Sequence, residues 1–231
     1  MSAATWVIIP VKSLPTAKQR LSPLLPAAVR RQLVLAMLQA VLAAAAAARG
    51  VHKVLVVTPD ADVAWRAKAH DAEVLRERRG RGLNAAVRAG LTAAAAAGAR
   101  RALVLPADVP LVSAEELGSL LQSAAVGAEA RVTLVPSADG KGTNGLLLAP
   151  PQAMQPAFGP GSYVRHLSQA LAKRIDVEVL HLPGLAADID QPRDLNRLLG
   201  PQSELLAFQF LARHVMKATP DGNLALGADR R

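Results

Sequence analysis

The sequence predicts an α/β protein: one mostly parallel sheet of the Rossmann-like kind in a single domain, with helices on both faces. Three observations lead there. Short, nearly continuous apolar runs at residues 7–11, 53–58 and 101–105 read as strands buried on both sides. Between them lie alanine- and leucine-rich stretches with helical spacing, at residues 27–48, 61–69 and 84–97. The chain has 231 residues, 51% of them hydrophobic, and a chain of that length buries roughly 70 to 75% of its unfolded surface, enough for one core.

Taken in order, the apolar run at 7–11 follows Trp6, ends at Lys12 and feeds a polar loop punctuated by Pro15, Pro23 and Pro26. The helix at 27–48 puts Arg30, Arg31 and Gln32 opposite its apolar face and stops at Gly50. Strand 53–58, helix 61–69, short strand 73–75, helix 84–97 with Gly98 beyond its end, and strand 101–105 follow. Ser113 and Glu116 have capping-box spacing and open a helix through Ser123. Residues 131–135 and 145–148 read as strands, 163–173 as a helix capped by Ser162, and Pro192 as the start of another helix. The alanine tracts at 43–48 and 93–97 are helix by intrinsic preference. After Leu199, Gly200 and Pro201 break the pattern, 204–217 could form one amphipathic helix, and the last dozen residues fray. The expected organisation is a folded domain over 1–199 with a C-terminal extension over 200–231.

Lys and Arg number 27 against 18 Asp and Glu, a formal charge of +9, which favours anionic partners: nucleic acid, acidic membrane or phosphorylated small molecules. Aromatic residues make up only 3% and are scattered, which argues against a base-stacking platform and so against nucleic acid. No cysteine is present, so disulfides, thiolate metal sites and thiol chemistry are excluded. The longest apolar stretch, 41–48, falls short of the roughly 20 residues a membrane span needs, and no basic segment precedes an apolar run at the start. The expectation is a cytoplasmic protein without membrane attachment; oligomeric state is left open, a homodimer included.

Five constellations could carry chemistry. Lys12, Lys18 and Arg20 lie in the loop after the first strand, where fixed cations suit a polyphosphate; the alternative is a solvated basic loop, and no glycine-rich Walker loop is present. Asp108, in LVLPADVPL, follows a strand end between two prolines, either to hold a hard cation such as Mg2+ or as a turn aspartate. In ADIDQPRDL, Asp188 and Asp190 are two apart in an extended segment and face one side. They either complete a metal site with Asp108, or Asp190 or Gln191 caps the next helix with Asp194 on its dipole; a cap leaves Asp188 unexplained. Thr143, Asn144, Gly159, Gly161 and Ser162, in GKGTNGLLL and FGPGS, form either an anion cradle with a helix start or two plain turns and a cap. In RERRGRGLNAAV, the density of Arg76, Arg78, Arg79 and Arg81 marks either nucleic acid or the mouth of a nucleotide pocket, with solvated surface the leading reading for Arg76 to Arg79, whereas Gly82 and Asn84 sit at the sheet edge.

These motifs, IPVK with AKQRLS, GLNAAV, LPADVPL, GTNGLLL, FGPGS and DIDQPRDL, resemble in order and interval those of the phospho-acid guanylyltransferases of coenzyme F-420 biosynthesis, across nearly all of residues 5–199. The resemblance implies the single-domain, three-layer nucleotidyltransferase fold also seen in molybdopterin guanylyltransferases. It implies GMP transfer from GTP to a small phosphorylated acid (phosphoenolpyruvate, 2-phospho-L-lactate or 3-phospho-D-glycerate) with loss of pyrophosphate. By the same resemblance Asp108, Asp188 and Asp190 would hold Mg2+, and Lys12, Lys18 and Arg20 the triphosphate; these three cations with Asp108 would be the catalytic set. Gly82 and Asn84 would lie near the nucleoside, and Thr143, Gly159 and Ser162 would bind the acid. Departures are Gln191 where threonine is usual, Gly145 where alanine is usual, and a longer tail. An acid phosphate is already a nucleophile, so no histidine base is needed, and His52, His70, His166, His181 and His214 read as surface or satisfied structural residues. The alternatives are a sugar-1-phosphate or molybdopterin-type nucleotidyltransferase, or a non-catalytic nucleotide- or RNA-binding protein; three retained aspartates argue against the last.

Overall fold

Alternate side chains of the first strand enter two different cores, which is why its sequence is apolar without interruption. In β1 (Thr5–Pro10), Val7 and Ile9 join one buried cluster and Trp6 and Ile8 another. A computed structural model describes residues 4–77, 82–123 and 130–199 of the chain. The first cluster is closed by α1 (Ala27–Ala47), α2 (Ala61–Ala69) and α4 (Ala114–Ser123), and the second by α3 (Leu83–Ala96) and α5 (Ser162–Ala172). Helix, sheet and helix thus form three layers.

The remaining strands are β2 (Lys53–Thr58), β3 (Glu73–Arg76), β4 (Arg101–Val104), β5 (Arg131–Pro136), β6 (Thr143–Ala149) and β7 (Asp176–Val179), in the order β3-β2-β1-β4-β6-β5-β7. Strands β3, β2, β1 and β4 pair in parallel, as do β5 and β7, while β6 is antiparallel to both β4 and β5. Leu146 pairs with Val104, the last residue of β4, so Thr143 and Asn144 at the start of β6 fall at the edge where the parallel strands end. The sequence pattern locates these strands within about two residues, apart from β7, which it misses together with the short helix α6 (Pro183–Ala186). The segment Pro192–Leu199 is 3-10 rather than α-helical. The expected helix at 204–217 lies outside the described residues.

Three local expectations are corrected. Helix α1 is, by length and composition, long and apolar enough to cross a membrane, where the sequence pattern shows no such stretch; 61% of its apolar window is buried against the sheet and neighbouring helices, as befits a core helix. Arg30, placed by periodicity on the polar face, is buried, and its guanidinium donates to the Leu25 carbonyl at 2.8 Å and to the Ala17 carbonyl at 3.4 Å. Those bonds tie the loop before α1 to the helix. Finally, the capping box at α4 is half formed: Ser113 Oγ accepts from the Glu116 amide, but the Glu116 carboxylate accepts from the Gly184 and Leu185 amides instead of closing the box. It holds the start of α6 against α4.

Helix α3 lies close against the sheet at Gly90, where an added Cβ would stand 2.5 Å from Ile8 Cγ2 and 3.2 Å from Val57 Cγ2. Both neighbours are buried and β-branched, so neither yields easily. Overpacking of this kind costs about 1 to 3 kcal/mol, against a helix-propensity gain of roughly 1 kcal/mol. Gly90→Ala is therefore expected to lower the urea midpoint of unfolding; an unchanged midpoint would mean that α3 lifts from β1 without penalty.

Candidate active site

The carboxyl edge of the sheet gathers charge from three distant segments. Beyond β4 the chain turns through Pro106 to Asp108, whose carbonyl accepts from the Ile189 amide at 2.9 Å and so holds residues 188–190 alongside. Lys18 has left-handed backbone angles (φ 51, ψ 45) just ahead of a short 3-10 turn, Gln19–Leu21. Its side chain is buried, and Nζ donates to Asp108 Oδ2 at 2.6 Å and stands 3.6 Å from Asp190 Oδ1. Arg20 Nη1 donates to Asp190 Oδ2 at 2.5 Å. Asp188 Oδ1 accepts from Asn144 Nδ2 at 3.2 Å, and the same amide nitrogen reaches the Leu185 and Ala186 carbonyls. All three aspartates thus surround one region, and two of the three expected cations are engaged by them. Lys12 is exposed and faces the adjoining cavity.

Burial opposes the charge on Lys18, but the Asp108 carboxylate, with Asp190 and Asp188 behind it, more than offsets that and raises its pKa. Burial raises the Asp188 pKa, helped by the Asp108 charge, against the Asn144 hydrogen bond and Lys18. Three carboxylates facing two cations leave negative charge in excess, which a further cation relieves. Hard carboxylate oxygens are the donors a hard divalent ion takes. Among the described residues, however, no three His, Cys, Asp or Glu side chains form a ready metal cage, and the Lys18 ammonium stands between Asp108 and Asp190. The donor chemistry fits such an ion, with phosphate oxygens left to supply further ligands.

A cavity of about 310 Å3 opens beside this cluster, lined among others by Val11, Lys12, Lys18, Leu83, Asp108 and Phe158. Asn84 does not point a free amide into it. Its Oδ1 accepts from the Phe158 amide at 2.7 Å and its Nδ2 donates to the Phe158 carbonyl at 3.1 Å, so it clamps the residue that forms the wall. Gly82 precedes α3 with φ 91, a conformation that favours glycine. Arg76 ends β3, exposed, while Arg78, Arg79 and Arg81 lie outside the described residues.

The two glycine loops meet at the start of β6, where the Tyr163 amide donates to the Lys141 carbonyl at 3.2 Å. Ser162 does not cap α5: the cap position is Gly161, and the buried Ser162 Oγ accepts from the Thr143 amide at 2.9 Å. A serine one residue into the helix is turned sideways toward β6, because the left-handed turn at Gly161 takes the cap's place. Thr143 Oγ1 lies 2.9 Å from Nδ1 of His166, which is fully buried one turn further along α5. Gly159, at φ 119, sits in the same turn, beside the Arg165 guanidinium that donates to the Ala157 and Pro160 carbonyls. Gln191 precedes the last segment and its carbonyl accepts from the Asp194 amide at 2.9 Å, while the amides of Asp190 and Gln191 donate to the Asp194 carboxylate.

Sequence reasoning misses Phe158 and His166 as members of this region, and it gives Asn144 no partner. Phe158 is visible only as part of FGPGS. His166 follows Ser162 by four residues, a spacing that places both on one helix face, but nothing in the sequence says that this face meets Thr143.

Known proteins bear on this geometry. The fold is similar to a protein of Desulfovibrio desulfuricans G20 provisionally assigned as a nucleotide-diphospho-sugar transferase, at TM-score 0.71 and 17% identity over 93% of this chain and 97% of that one. It is also similar to a nucleotidyl transferase of Methanothermobacter thermautotrophicus, at TM-score 0.63 and 20% identity over 86% and 96%. The protein is thus an enzyme of the nucleotidyltransferase class in fold and lineage. Residues 5–224 match the family described as "Guanylyl transferase CofC like", and the chain belongs to it. A phosphoenolpyruvate guanylyltransferase of Sphaerobacter thermophilus is 41% identical over 85% of this chain and 93% of its own length. A 2-phospho-L-lactate guanylyltransferase of Methanothermobacter thermautotrophicus is 35% identical over 84% of each.

Burial, with Arg165 adding to it, lowers the His166 pKa from 6.5 to about 4. The unfolded chain therefore protonates this histidine first as pH falls. Its stabilising contribution is complete above pH 6.5 and is lost through the window from there to about pH 4. The loss is bounded at about 3 kcal/mol. Urea unfolding at pH 7 and at pH 4.5 is expected to show a smaller drop in His166→Gln than in wild type; equal drops would place the titration elsewhere.

Proposed function

We propose that the protein transfers GMP from GTP to the phosphate of a small phosphorylated carboxylic acid, phosphoenolpyruvate first among the candidates, and releases pyrophosphate, in coenzyme F-420 biosynthesis. One observation carries this reading: Thr143 and Asn144, neighbours at the start of β6, join a pair of buried hydroxyls to the acidic cluster through the bonds to Ser162 and Asp188. An acceptor phosphate held by the hydroxyls would then lie next to the region where a triphosphate meets Asp108 and Lys18. The choice of phosphoenolpyruvate is supported by relatives bearing that name at 41% and 42% identity, against 35% for the 2-phospho-L-lactate enzyme. The catalytic unit is residues 1–199, with 200–231 an extension, and the cytoplasm, where GTP is available, is the site of reaction.

In this reading a phosphate oxygen of the acid attacks the α-phosphorus of GTP in line, the bond from that phosphorus to the bridging oxygen breaks, and its electron pair leaves with pyrophosphate. Positioning and charge neutralisation are what the protein supplies. Asp108, Asp188 and Asp190 would hold Mg2+, which would supply neutralisation of phosphate charge. Lys18 and Arg20 exchange a carboxylate partner for a phosphate oxygen as the nucleotide enters, and Lys12 meets the triphosphate from the cavity mouth. Gly82 and the Asn84–Phe158 clamp shape the nucleoside wall. Thr143 and Ser162 hold the acid's phosphate, with Gly159 leaving room for its approach.

Pyrophosphate release measured with GTP and each acid in turn, with the product identified by mass, tests the reaction. Turnover is expected with GTP in preference to ATP, to vanish with EDTA, and to fall by at least about a hundredfold in Asp108→Asn with the fold intact. Equal rates with both nucleotides would remove the guanine preference, and wild-type rates in Asp108→Asn would remove the metal role. A hydrogen bond from a hydroxyl to a charged group is worth roughly 1.5 to 3 kcal/mol, so Thr143→Val and Ser162→Ala are each expected to raise the KM for the acid about ten- to hundredfold. The KM for GTP should stay put. Lowered melting temperatures with unchanged acid KM would leave both residues structural and the acceptor site elsewhere.

A further inference from the structure

We infer that His166 is a positioning residue of the acceptor site: its Nδ1–H bonds Thr143 Oγ1 and obliges the threonine hydroxyl to aim its own proton at the bound phosphate. This rests on the reading of Thr143 as an acid-binding residue. The direction of every proton in the chain of bonds follows from one fixed donor. The Ala157 amide lies 2.9 Å from His166 Nε2. A backbone amide can only donate, so Nε2 is the bare nitrogen and the proton of the neutral ring is on Nδ1. Nδ1 then donates across 2.9 Å to Thr143 Oγ1. The reverse arrangement, threonine donating to Nδ1, would put the proton on Nε2 facing the Ala157 amide, two donors head to head. Thr143 Oγ1 therefore spends a lone pair inward and is left with a free O–H.

Ser162 is in the same state by another route, because its Oγ accepts from the Thr143 amide and keeps its own O–H to give. Two adjacent hydroxyls that each already accept one hydrogen bond from the protein, and whose protons are spent on none of the bonds seen among the described residues, complement a group that carries acceptors only. A phosphate is such a group. The ring is held in one place, since it is fully buried and meets Phe158 edge to face with centroids 4.9 Å apart, and Phe158 is in turn clamped by Asn84. Because burial keeps the ring neutral at pH 7, it donates without adding a cation that would bind the phosphate indiscriminately.

The tautomer is tested on the wild-type protein by nitrogen-15 NMR of the histidine rings. Signals for His166 with Nδ1 protonated and Nε2 bare are expected; the opposite tautomer overturns the inference whatever the variants do. Kinetics with phosphoenolpyruvate at saturating GTP then separate its two bonds. An asparagine amide reaches the place of Nδ1, and a glutamine amide reaches that of Nε2. His166→Gln is expected to raise the KM for the acid about tenfold, the scale of one such bond. His166→Asn should keep it within about threefold of wild type, and GTP KM should be unchanged in both. In a Thr143→Val background the difference between the two variants should disappear. Equal acid KM in His166→Asn and His166→Gln, with Thr143→Val alone still weakening the acid, overturns the role of His166 and leaves the acceptor site standing. Thr143→Val with a wild-type acid KM overturns the acceptor-site reading as well.

Discussion

Strand β6 runs antiparallel to both of its neighbours, and the placement of the site depends on that reversal. A parallel strand in the same slot would begin at the opposite edge of the sheet and carry Thr143 and Asn144 away from Asp108. Inserted backwards between β4 and β5, β6 instead begins where β1 and β4 end. Asn144 at its start thereby meets Asp188, in the segment that the Ile189 amide holds beside Asp108, and ligands of such sheets gather at that edge. Helix α5 follows from the same geometry, since Ser162 and His166 find their partners only because Thr143 is there.

Charge at this edge is balanced locally rather than by the protein's overall excess of cations. The Lys18 ammonium is withdrawn from water and compensated at 2.6 Å by Asp108. A buried charge without such a partner would cost several kcal/mol, so the pair exists as a unit. Arg20 compensates Asp190, and Asp188 is left with a hydrogen bond from a neutral amide and, among the described residues, no ion pair of its own. Burial, with the Asp108 charge adding to it, raises the Asp188 pKa. A site with one carboxylate too many, beside a cavity that Lys12 enters, is suited to take a cation and a polyphosphate together.

The same edge is tied together by backbone as well as by charge. The Ile189 amide holds the 188–190 segment to the Asp108 carbonyl, Glu116 pins the start of α6, and Asn84 clamps Phe158. Each tie joins segments far apart in the chain, so the aspartates and the cavity wall are held by elements that are themselves packed in the two cores. Such support is what keeps reacting groups in register in a reaction that asks for positioning more than for covalent chemistry.

By itself the sequence determined the strands and helices of the three layers, apart from β7 and α6, and the motifs that mark the family. These are properties of neighbouring residues: the nearly continuous apolar run at 7–11, the helical spacing in 27–48, the glycine ends and proline-bounded turns. Candidate side chains could be named for the same reason, since Asp108, Asp188, Asp190, Thr143 and Ser162 stand in local patterns. Only the tertiary structure decided their partners. Lys18 and Asp108 are 90 residues apart, Asn144 and Asp188 are 44 apart, and Arg30 turned inward against periodicity because loop carbonyls needed a donor. Ser162 became a partner of Thr143 instead of a helix cap, and His166 acquired a role beyond filling space, through contacts set by strand order and by the reversal of β6. Strand order arises from the burial of two faces at once, a property of the whole chain that no window of consecutive residues contains.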